Sequence, residues 1–417
     1  MNDSIFTSEF FAGNRERLRE LFMGTAPIVL TANGLLQRGG DTTYPFQQDA
    51  NFWYLTGINE PGVTLVMDKG KEYLIVPFRE GTRAAFDGAI SPEELTRRSG
   101  IEVIVAEKEG WKQLGARLGK VKHVATVAAP PAFIDVYGMY ANPARRALLR
   151  RMKEYNAQLE LLDITEHLVR LRMVKQPLEL AAIEKAIAIT SATLKEIAKP
   201  SKLVKYAYEY EIEADLTRGF RRRGASGHAF DPIIASGKNA TTIHYLDNNA
   251  PLASDELIVM DVGAAYEQYA ADITRTISQA QPSRRQEQVF EAVLDVQQYA
   301  YSLLKPGVIL RSYEEDIEHF MGEKLRELGL IKTIESESVR QYYPHAASHH
   351  LGLNVHDVSD YARPLEPNMV ITVEPGIYIP EEGIGVRIED DVRITEVGIE
   401  VLTADLPSRL TQGYNKG

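Results

Sequence analysis

The chain has 417 residues, of which 44% are hydrophobic and 25% are charged, so it is long enough to form two folded domains. Its net charge of -11 argues against binding to a phosphate backbone, which requires a basic surface. The absence of cysteine excludes disulfides and thiolate metal sites, so any metal must be held by His, Asp or Glu.

The amino-terminal segment carries no pattern typical of export. Residues 1–20 lack a basic stretch followed by an apolar run, so they do not resemble a signal peptide. No stretch approaches the ~18 uninterrupted apolar residues that a membrane-spanning helix needs. We therefore expect a cytoplasmic protein without membrane or nucleic-acid partners.

The first part of the chain alternates helical and strand patterns. Residues 14–23 have helical spacing of their apolar side chains. Strand-like runs follow at residues 27–32, 64–67, 72–76 and 101–105. The segment Asp68-Lys69-Gly70-Lys71 has the composition of a hairpin turn. Interleaved strands and helices predict a compact α/β domain that reaches to about residue 160.

A domain boundary is predicted near residues 171–177. Pro177 followed by Glu179 is a typical helix start, and helical patterns recur at residues 286–304 and 313–328. Further strand-like runs occur at residues 257–262, 268–277, 369–373 and 385–394. These patterns predict a second, longer domain.

Four acidic residues lie at or beside these apolar runs. Asp261 ends the run LIVM and Glu374 ends the run VITV, while Asp272 and Glu389 each lie on the strand that follows. A buried carboxylate is costly unless it is paired or bound to a metal. For any one acid, a cap, a turn or an ion pair is the commoner explanation. Four of them with histidines between favour a metal site.

The two acid-bearing segments also resemble each other. Residues 257–266 and 370–378 each contain an apolar run, an acid, a glycine and a tyrosine. Each is followed by a second strand with another acid. Two such hairpins would supply two carboxylates apiece to a pseudo-symmetric site.

Histidines cluster between these acids. His345, His349, His350 and His356 fall within twelve positions. A lone histidine is more often a hydrogen-bonded core residue than a ligand, but a dense cluster beside glycine is typical of metal ligands and proton carriers. Two isolated histidines remain candidates on spacing alone, and His244 is favoured over His228.

The candidate donors select a class of metal. Four carboxylates with one or two imidazoles form a hard, oxygen-rich set that suits manganese, cobalt(II) or iron(II) better than a structural zinc. This many carboxylates exceed what one ion needs, so some should bridge two ions. Two ions ~3.5–4 Å apart can share a water and lower its pKa to ~7. The sequence contains no G-x-S-x-G, P-loop or H-E-x-x-H motif.

Together these residues resemble the ligands of the pita-bread metallopeptidases, which follow one another in the order Asp, Asp, His, Glu, Glu. The corresponding positions in this chain are Asp261, Asp272, His349, Glu374 and Glu389. Within that superfamily the sequence is most similar to the Xaa-Pro aminopeptidases (aminopeptidase P), with prolidase next. Residues 44–62 resemble the amino-terminal domain signature of those proline peptidases.

The resemblance implies a fold and a cofactor. We expect an α/β amino-terminal domain, residues 1–165, that serves substrate access and oligomerisation. An α+β pita-bread catalytic domain, of the creatinase/aminopeptidase type, should follow at residues 170–417. Two divalent ions are implied, with Mn²⁺ expected first and Co²⁺, Fe²⁺ or Zn²⁺ as alternatives. Because relatives are usually oligomers, we expect a homodimer or homotetramer.

The resemblance also implies roles for the ligands. Asp261 would bind one ion and His349 the other, with Asp272 and Glu389 bridging both. Glu374 would bind the second ion and carry the proton from water to the leaving proline nitrogen.

Four further residues correspond to groups around the metals. His244 and His356 would contact the substrate and the tetrahedral intermediate. His345 would be the first histidine of the His-rich loop, and Arg387 would help to fix the substrate.

The function implied is an aminopeptidase that releases the first residue from peptides with proline in second position, by attack of a hydroxide bridging two ions. A dipeptidase restricted to Xaa-Pro would share every ligand and remains an alternative. A silent pita-bread binding protein and a metal-independent hydrolase are disfavoured, because all five ligands are kept. Ala346, His350 and Asn354 depart from the family pattern beside the expected substrate groove, which leaves substrate length and preference open. His350 also places a second imidazole beside the expected ligand.

Overall fold

The computed structural model describes residues 4–129 and 138–410. The chain divides into two compact units, Met1–Leu171 and Arg172–Gly417. Among the described residues, no helix combines the length and the apolar composition needed to cross a membrane.

The amino-terminal unit is built around one mixed β-sheet. Its strands are β1 (Ile28–Thr31), β2 (Thr64–Asp68), β3 (Lys71–Val76), β4 (Ile104–Ala106), β5 (His123–Thr126) and β6 (Glu160–Asp163). They lie in the order β4-β3-β2-β1-β5-β6, with β1–β2 and β2–β3 antiparallel and the other pairs parallel. The helices described in this region are α1 (Ser8–Phe22), α2 (Ala50–Thr56), α3 (Gly81–Asp87), α4 (Pro92–Ser99), α5 (Glu107–Leu118), α6 (Ala144–Tyr155) and α7 (Thr165–Met173).

The turn between β2 and β3 is the hairpin that the sequence predicts. Asp68 pairs with Lys71, and the two residues between them, Lys69 and Gly70, have positive φ angles of 49° and 73°. Two successive residues with positive φ give a tight turn whose twist matches that of the flanking strands.

One core of this unit lies between the sheet and the helices α5 and α6. Val29 and Val66 from the sheet pack with Trp111 and Leu114 from α5 and Met152 from α6. Each fully buried apolar side chain of this kind contributes about 1.5–3 kcal/mol to folding. The segments with alternating helical and strand patterns thus form one α/β domain, in which these helices pack on the sheet.

The second unit combines long helices with small antiparallel sheets. Its helices are α8 (Pro177–Ile197), α9 (Pro200–Leu203), α10 (Glu209–Arg222), α11 (Arg284–Leu303), α12 (Leu310–Glu327) and α13 (Ser336–Arg340), together with a 3₁₀ turn (Gly237–Thr241). Its strands are β7 (Gly227–His228), β8 (Ile233–Ser236), β9 (Leu257–Val262), β10 (Ala264–Tyr266), β11 (Tyr269–Ala270), β12 (Ile273–Ser278), β13 (Val370–Val373), β14 (Gly376–Ile379), β15 (Ile384–Arg387), β16 (Asp390–Ile394) and β17 (Ile399–Val401).

Helix α8 begins where the sequence predicts. Pro177 is its first residue, and the side chain of Glu179 accepts a hydrogen bond from the backbone N–H of Gln176 at 2.9 Å. Proline has no backbone N–H that would lack an acceptor at this position. The Glu179 carboxylate accepts from the N–H of Gln176, which has no acceptor within the helix.

The strands that carry the candidate ligands pair as two hairpins. In the first, β9 lies between β8 and β12, and Asp261 is opposite Thr274. In the second, β13 pairs with β16, and Val373 is opposite Asp390. Glu374 therefore follows one strand directly and Glu389 directly precedes the other.

Two runs predicted as single strands are each broken by an acid. The run at residues 268–277 is interrupted at Ala271–Asp272, and the run at residues 385–394 is interrupted at Ile388–Glu389. At each break the backbone N–H of the acidic residue donates a hydrogen bond to the other hairpin. The amide of Asp272 donates to Asp391 Oδ2 at 3.1 Å, and that of Glu389 donates to the carbonyl of Thr274 at 3.1 Å. The two hairpins are joined at these positions.

Candidate metal centre

Asp261 lies on the central strand β9, every residue of which is buried. Its Oδ2 accepts a hydrogen bond of 2.6 Å from Arg387 Nη2. Its Oδ1 is buried and has no hydrogen-bond partner among the described residues. An unpartnered carboxylate oxygen is costly, so this atom is expected to meet a cation or a water.

Asp272 and Glu389 stand at the two strand breaks and are both buried. Thr274 Oγ1 donates to Glu389 Oε2 at 2.6 Å, which orients that carboxylate. Burial raises the pKa of Asp272 to about 7 and raises the pKa of Glu389 well above its ordinary value, and the negative charge of Asp261 acts in the same direction. Carboxylates crowded in this way resist ionisation until a cation neutralises them.

Glu374 follows β13, and both its backbone and its side chain form hydrogen bonds. Its backbone N–H donates to the carbonyl of Ala347 at 2.8 Å, and its Oε1 accepts from Thr372 Oγ1 at 3.1 Å. Burial acts to raise the pKa of this carboxyl, but the hydrogen bond and charge of His349 outweigh it and lower the pKa to about 2.

His349 presents one ring nitrogen to these acids. Its Nε2 lies 3.2 Å from Glu374 Oε1 and 3.4 Å from Asp272 Oδ2. Its Nδ1 is 3.1 Å from the carbonyl oxygen of His350, an acceptor that requires the proton on Nδ1. Nε2 is therefore the nitrogen that would bind a metal. Burial acts to lower the pKa of His349, but the hydrogen bonds to Asp272 and Glu374 outweigh it and raise this pKa well above its ordinary value, so a metal at Nε2 would displace a proton that these acids favour.

The imidazole of the adjacent residue, His350, lies outside the cavity. His350 is 1% exposed, its ring is 6.2 Å from that of Tyr361, and burial lowers its pKa to about 3. It does not line the cavity that contains the acids, whereas His349 does. The geometry therefore favours His349 as the metal-facing histidine.

One cavity of about 250 Å³ brings the expected ligands together. Its wall contains Asp261, Asp272, His349, Glu374 and Glu389. Donor atoms of Asp272, His349 and Glu389 also lie within 4.8 Å of one another. The remaining lining residues are Phe230, Asp231, Ile233, Ile243, His244, Leu246, Val355, His356 and Arg387. Five of these nine residues are apolar, so the wall of the cavity combines a group of carboxylates with apolar side chains.

The four residues expected around the metals differ in their placement. His244, His356 and Arg387 line the cavity, and the ring of His356 meets that of His349 edge-on at 4.4 Å. His345 is not among the lining residues. Its Nε2 lies 2.8 Å from the hydroxyl of Tyr378, and its Nδ1 lies 3.8 Å from Glu374 Oε2.

His228, the weaker of the isolated candidates, lies outside this site. Its Nε2 is 2.8 Å from Thr217 Oγ1, and its ring packs on Phe220 at 5.0 Å. These contacts make it a structural residue beside helix α10.

Arg387 connects several groups that the sequence patterns did not join. Its Nε donates to Thr274 Oγ1 at 3.1 Å, its Nη1 donates to the Tyr378 hydroxyl at 2.8 Å, and its Nη2 bonds to Asp261. Tyr378 is the tyrosine of the second of the two similar segments, residues 370–378. The sequence pattern gave this tyrosine no role. Thr274 and Thr372 were missed, because a threonine on a strand carries no recognisable signal.

The donor set fits a pair of divalent cations. Three buried carboxylates, the partly buried Glu374 and one imidazole converge. The buried guanidinium of Arg387 faces them and donates a hydrogen bond to Asp261. The unpartnered Asp261 Oδ1 and the raised pKa values of Asp272 and Glu389 both indicate missing positive charge. Hard oxygen donors of this kind suit divalent ions that prefer oxygen and imidazole ligands.

Comparison with known proteins agrees with this geometry. The family model described as metallopeptidase family M24 matches residues 181–396, and that of the aminopeptidase P amino-terminal domain matches residues 11–125. The chain is 33% identical to the Xaa-Pro aminopeptidase of Haemophilus influenzae, over 98% of this chain and 96% of that protein. It is 30% identical to the Xaa-Pro aminopeptidase of Escherichia coli, over 96% of each.

A solved structure shows the same architecture. The chain matches the low-pH form of aminopeptidase P from Escherichia coli with a TM-score of 0.84 and 28% identity, over 97% of this chain and 96% of that one. The fold class expected from the sequence, an α/β domain followed by an α+β pita-bread domain, is confirmed. The chain therefore belongs to the Xaa-Pro aminopeptidases of metallopeptidase family M24, and it is a peptidase that depends on divalent metal.

Proposed function

We propose that the protein is a two-metal aminopeptidase that removes the first residue from peptides with proline in second position. The observation that carries this proposal is the convergence of Asp261, Asp272, His349, Glu374 and Glu389 on one cavity wall. When bound, divalent ions would lower the pKa of a water molecule and polarise the scissile carbonyl. Mn²⁺ is the proposed ion, with Co²⁺, Fe²⁺ and Zn²⁺ as alternatives.

We assign roles to these residues from their contacts. Asp261 and His349 would hold one ion each, and Asp272 and Glu389 would bridge them. Glu374 would bind the second ion and would carry the proton of the attacking water to the leaving nitrogen, a role supported by its position on the cavity wall 3.2 Å from His349 Nε2.

The residues around the acids would bind and orient the substrate. His244 and His356 line the cavity, where they can contact the peptide and the developing oxyanion. Arg387 fixes Asp261 and can also reach the substrate. His345 would act through Tyr378, whose hydroxyl lies between it and Arg387.

We assign substrate access and oligomerisation to the amino-terminal domain, residues 1–165. Measuring the molar mass of the protein in solution tests this assignment. A dimer or tetramer that becomes monomeric when exposed side chains of this domain are replaced supports it, and a monomeric wild-type protein contradicts it.

Peptide length tests the proposed specificity. Purified protein loaded with Mn²⁺ is incubated with a tripeptide Xaa-Pro-Yaa, the dipeptide Xaa-Pro and a matched Xaa-Ala-Yaa tripeptide. We expect cleavage of the first alone. Cleavage of the dipeptide but not the tripeptide would make the protein a dipeptidase, and cleavage of Xaa-Ala-Yaa at an equal rate would remove the proline requirement.

A further inference from the structure

The carboxylate of Glu209 is completely buried in the first turn of helix α10. Its Oε1 accepts hydrogen bonds from the backbone N–H and the Oγ of Ser236, both at 2.8 Å, and from Asn239 Nδ2 at 3.2 Å. Its Oε2 accepts from the Tyr245 hydroxyl and the backbone N–H of Ala250, both at 2.9 Å. Five donors therefore converge on one carboxylate.

All of these donors come from residues 236–250, which we call the His244 loop. The two oxygens of a carboxylate offer about four lone-pair sites, so the five donors use all of its capacity to accept hydrogen bonds. The backbone N–H of Glu209 also donates to the carbonyl of Ala250 at 3.1 Å. Both ends of the loop are thus tied to one side chain.

The middle of the loop is fixed as well. The ring of Tyr245 packs against a buried cluster that includes Ile233, Ala240 and Val259. On the other side, strand β15 passes so close that a Cβ added to Gly385 would lie 2.0 Å from the carbonyl oxygen of Ala240. The loop has little freedom to move between these contacts.

His244 directly precedes Tyr245 and is exposed on the cavity wall, beside the lining residues Ile243 and Leu246. No hydrogen bond of the described residues holds the His244 ring itself. The backbone therefore sets the point from which the imidazole enters the cavity, and the contacts of Glu209 and Tyr245 hold this backbone.

We propose that Glu209 is a positioning residue that holds the His244 loop, and through it the His244 imidazole, in the substrate cavity. Glu209 does not line the cavity, so it acts through the loop and not on the substrate. The proposal rests on the function proposed above for His244. It adds a buried carboxylate to the groups on which that function depends.

The variant Glu209→Gln tests the proposal, because it keeps the size of the side chain but replaces an acceptor oxygen with an NH₂ that faces donors. The matched control is Glu211→Gln on the same helix, whose carboxylate accepts from Ala207 and Tyr208 N–H groups outside the loop. We expect kcat/KM on Xaa-Pro-Yaa to fall by about tenfold or more in Glu209→Gln, with bound metal unchanged. We expect Glu211→Gln to behave as wild type. Equal rates for the two variants would overturn the proposal.

A double-mutant cycle separates positioning from general structural damage. If Glu209 acts through His244, then adding Glu209→Gln to His244→Ala lowers kcat/KM no further than His244→Ala alone. Losses that multiply in the double variant would overturn the proposal. If Glu209→Gln does not fold, Tyr245→Phe removes a single donor of the loop and is measured in the same cycle.

Hydrogen exchange gives a readout that does not depend on activity. Backbone amides of residues 237–250 should exchange faster in Glu209→Gln than in Glu211→Gln, while those of β9 and β12 stay protected. Unchanged exchange in this loop would overturn the proposal. A wild-type protein that cleaves no Xaa-Pro-Yaa peptide would contradict the proposed function, and the exchange result would still decide the role of Glu209.

Discussion

Arg387 Nη2 donates to Asp261 Oδ2 at 2.6 Å, and both side chains are buried. This contact fixes one oxygen of the carboxylate and leaves Oδ1 without a partner among the described residues. The guanidinium also holds Thr274 and Tyr378, so one planar group sets the position of three side chains. Arg387 is therefore part of the architecture of the candidate metal centre.

The variant Arg387→Lys should retain the positive charge and lose the geometry. A lysine ammonium cannot reach three acceptors spread around a planar fork. We expect kcat/KM on an Xaa-Pro-Yaa tripeptide to fall on the order of 100-fold. Steady-state kinetics and elemental analysis of bound metal check this. Kinetics equal to those of wild type would show that charge alone suffices.

Adjacent histidines provide a matched test of the ligand assignment. His349→Gln removes the imidazole that faces Glu374 and Asp272, and we expect metal affinity to fall by at least about 100-fold. His350→Gln changes the neighbouring ring, which lies outside the cavity, and should bind metal as wild type does. Equilibrium dialysis with Mn²⁺ measures both affinities. A larger loss of metal affinity in His350→Gln than in His349→Gln would show that His350 is the ligand.

A buried ion cluster beside the His-rich loop should be essential for stability. Asp357 forms ion pairs with Arg172 and Lys175, and all three side chains are almost completely buried. Asp357→Asn would remove the anion that both buried cations contact and should cost about 3–5 kcal/mol in the free energy of unfolding. Denaturant titration measures this loss. The exposed Asp360→Asn is the control, and equal stability of the two variants would contradict the prediction.

The carboxyl of Glu314 should make stability depend on pH. Burial raises its pKa from 4.5 to about 7, although the backbone N–H groups of Ala347 and Ser348 favour its ionised form. Ionising it therefore costs free energy in the folded state that it does not cost in the unfolded chain. Its contribution is most favourable below the unfolded pKa and is lost as the pH rises to about 7.

Comparison of wild type with Glu314→Gln isolates this effect. The unfolding free energy of wild type, relative to the variant, should fall by on the order of 2–3 kcal/mol between pH 4.5 and 7. Denaturant titrations of metal-free protein across this range measure the difference. Glu315→Gln, at the exposed neighbouring position, should show no such trend. A flat difference for Glu314→Gln would mean that its carboxyl is not desolvated.

The sequence predicts best where a local pattern is repeated. The strand Leu257–Val262 and the start of helix α8 at Pro177 were predicted to the residue, because apolar runs and helix caps are local signals. Helix α1 begins at Ser8, six residues before the predicted start at residue 14. Its first turns include Phe10 and Phe11, which are buried against other aromatic rings, and such contacts override helical spacing.

The residues of the candidate site also differ in whether a local sequence pattern reveals them. Asp261 and Glu374 could be found because a carboxylate after an apolar run is conspicuous. Glu209 and Glu314 could not, because each lies on an ordinary amphipathic helix and its role depends on a loop far away in sequence. The register of the two hairpins was also beyond prediction. Asp261 is opposite Thr274, whereas Glu374 and Glu389 directly adjoin the Val373–Asp390 pair. The two segments that are similar in sequence are therefore only approximately symmetric in structure.

The hydrogen bond from the Glu389 amide to the Thr274 carbonyl joins two hairpins that lie more than 100 positions apart in the chain. Because the donors meet only after this long-range pairing, an ion cannot nucleate folding and can enter only at its last stage. The folding chain must first bring four carboxyl groups together, which costs free energy either as mutual repulsion or as protonation of Asp272 and Glu389, whose pKa values are raised. We expect a chain synthesised where the ion is scarce to reach a folded, inactive form that gains activity when the ion is supplied, without first unfolding.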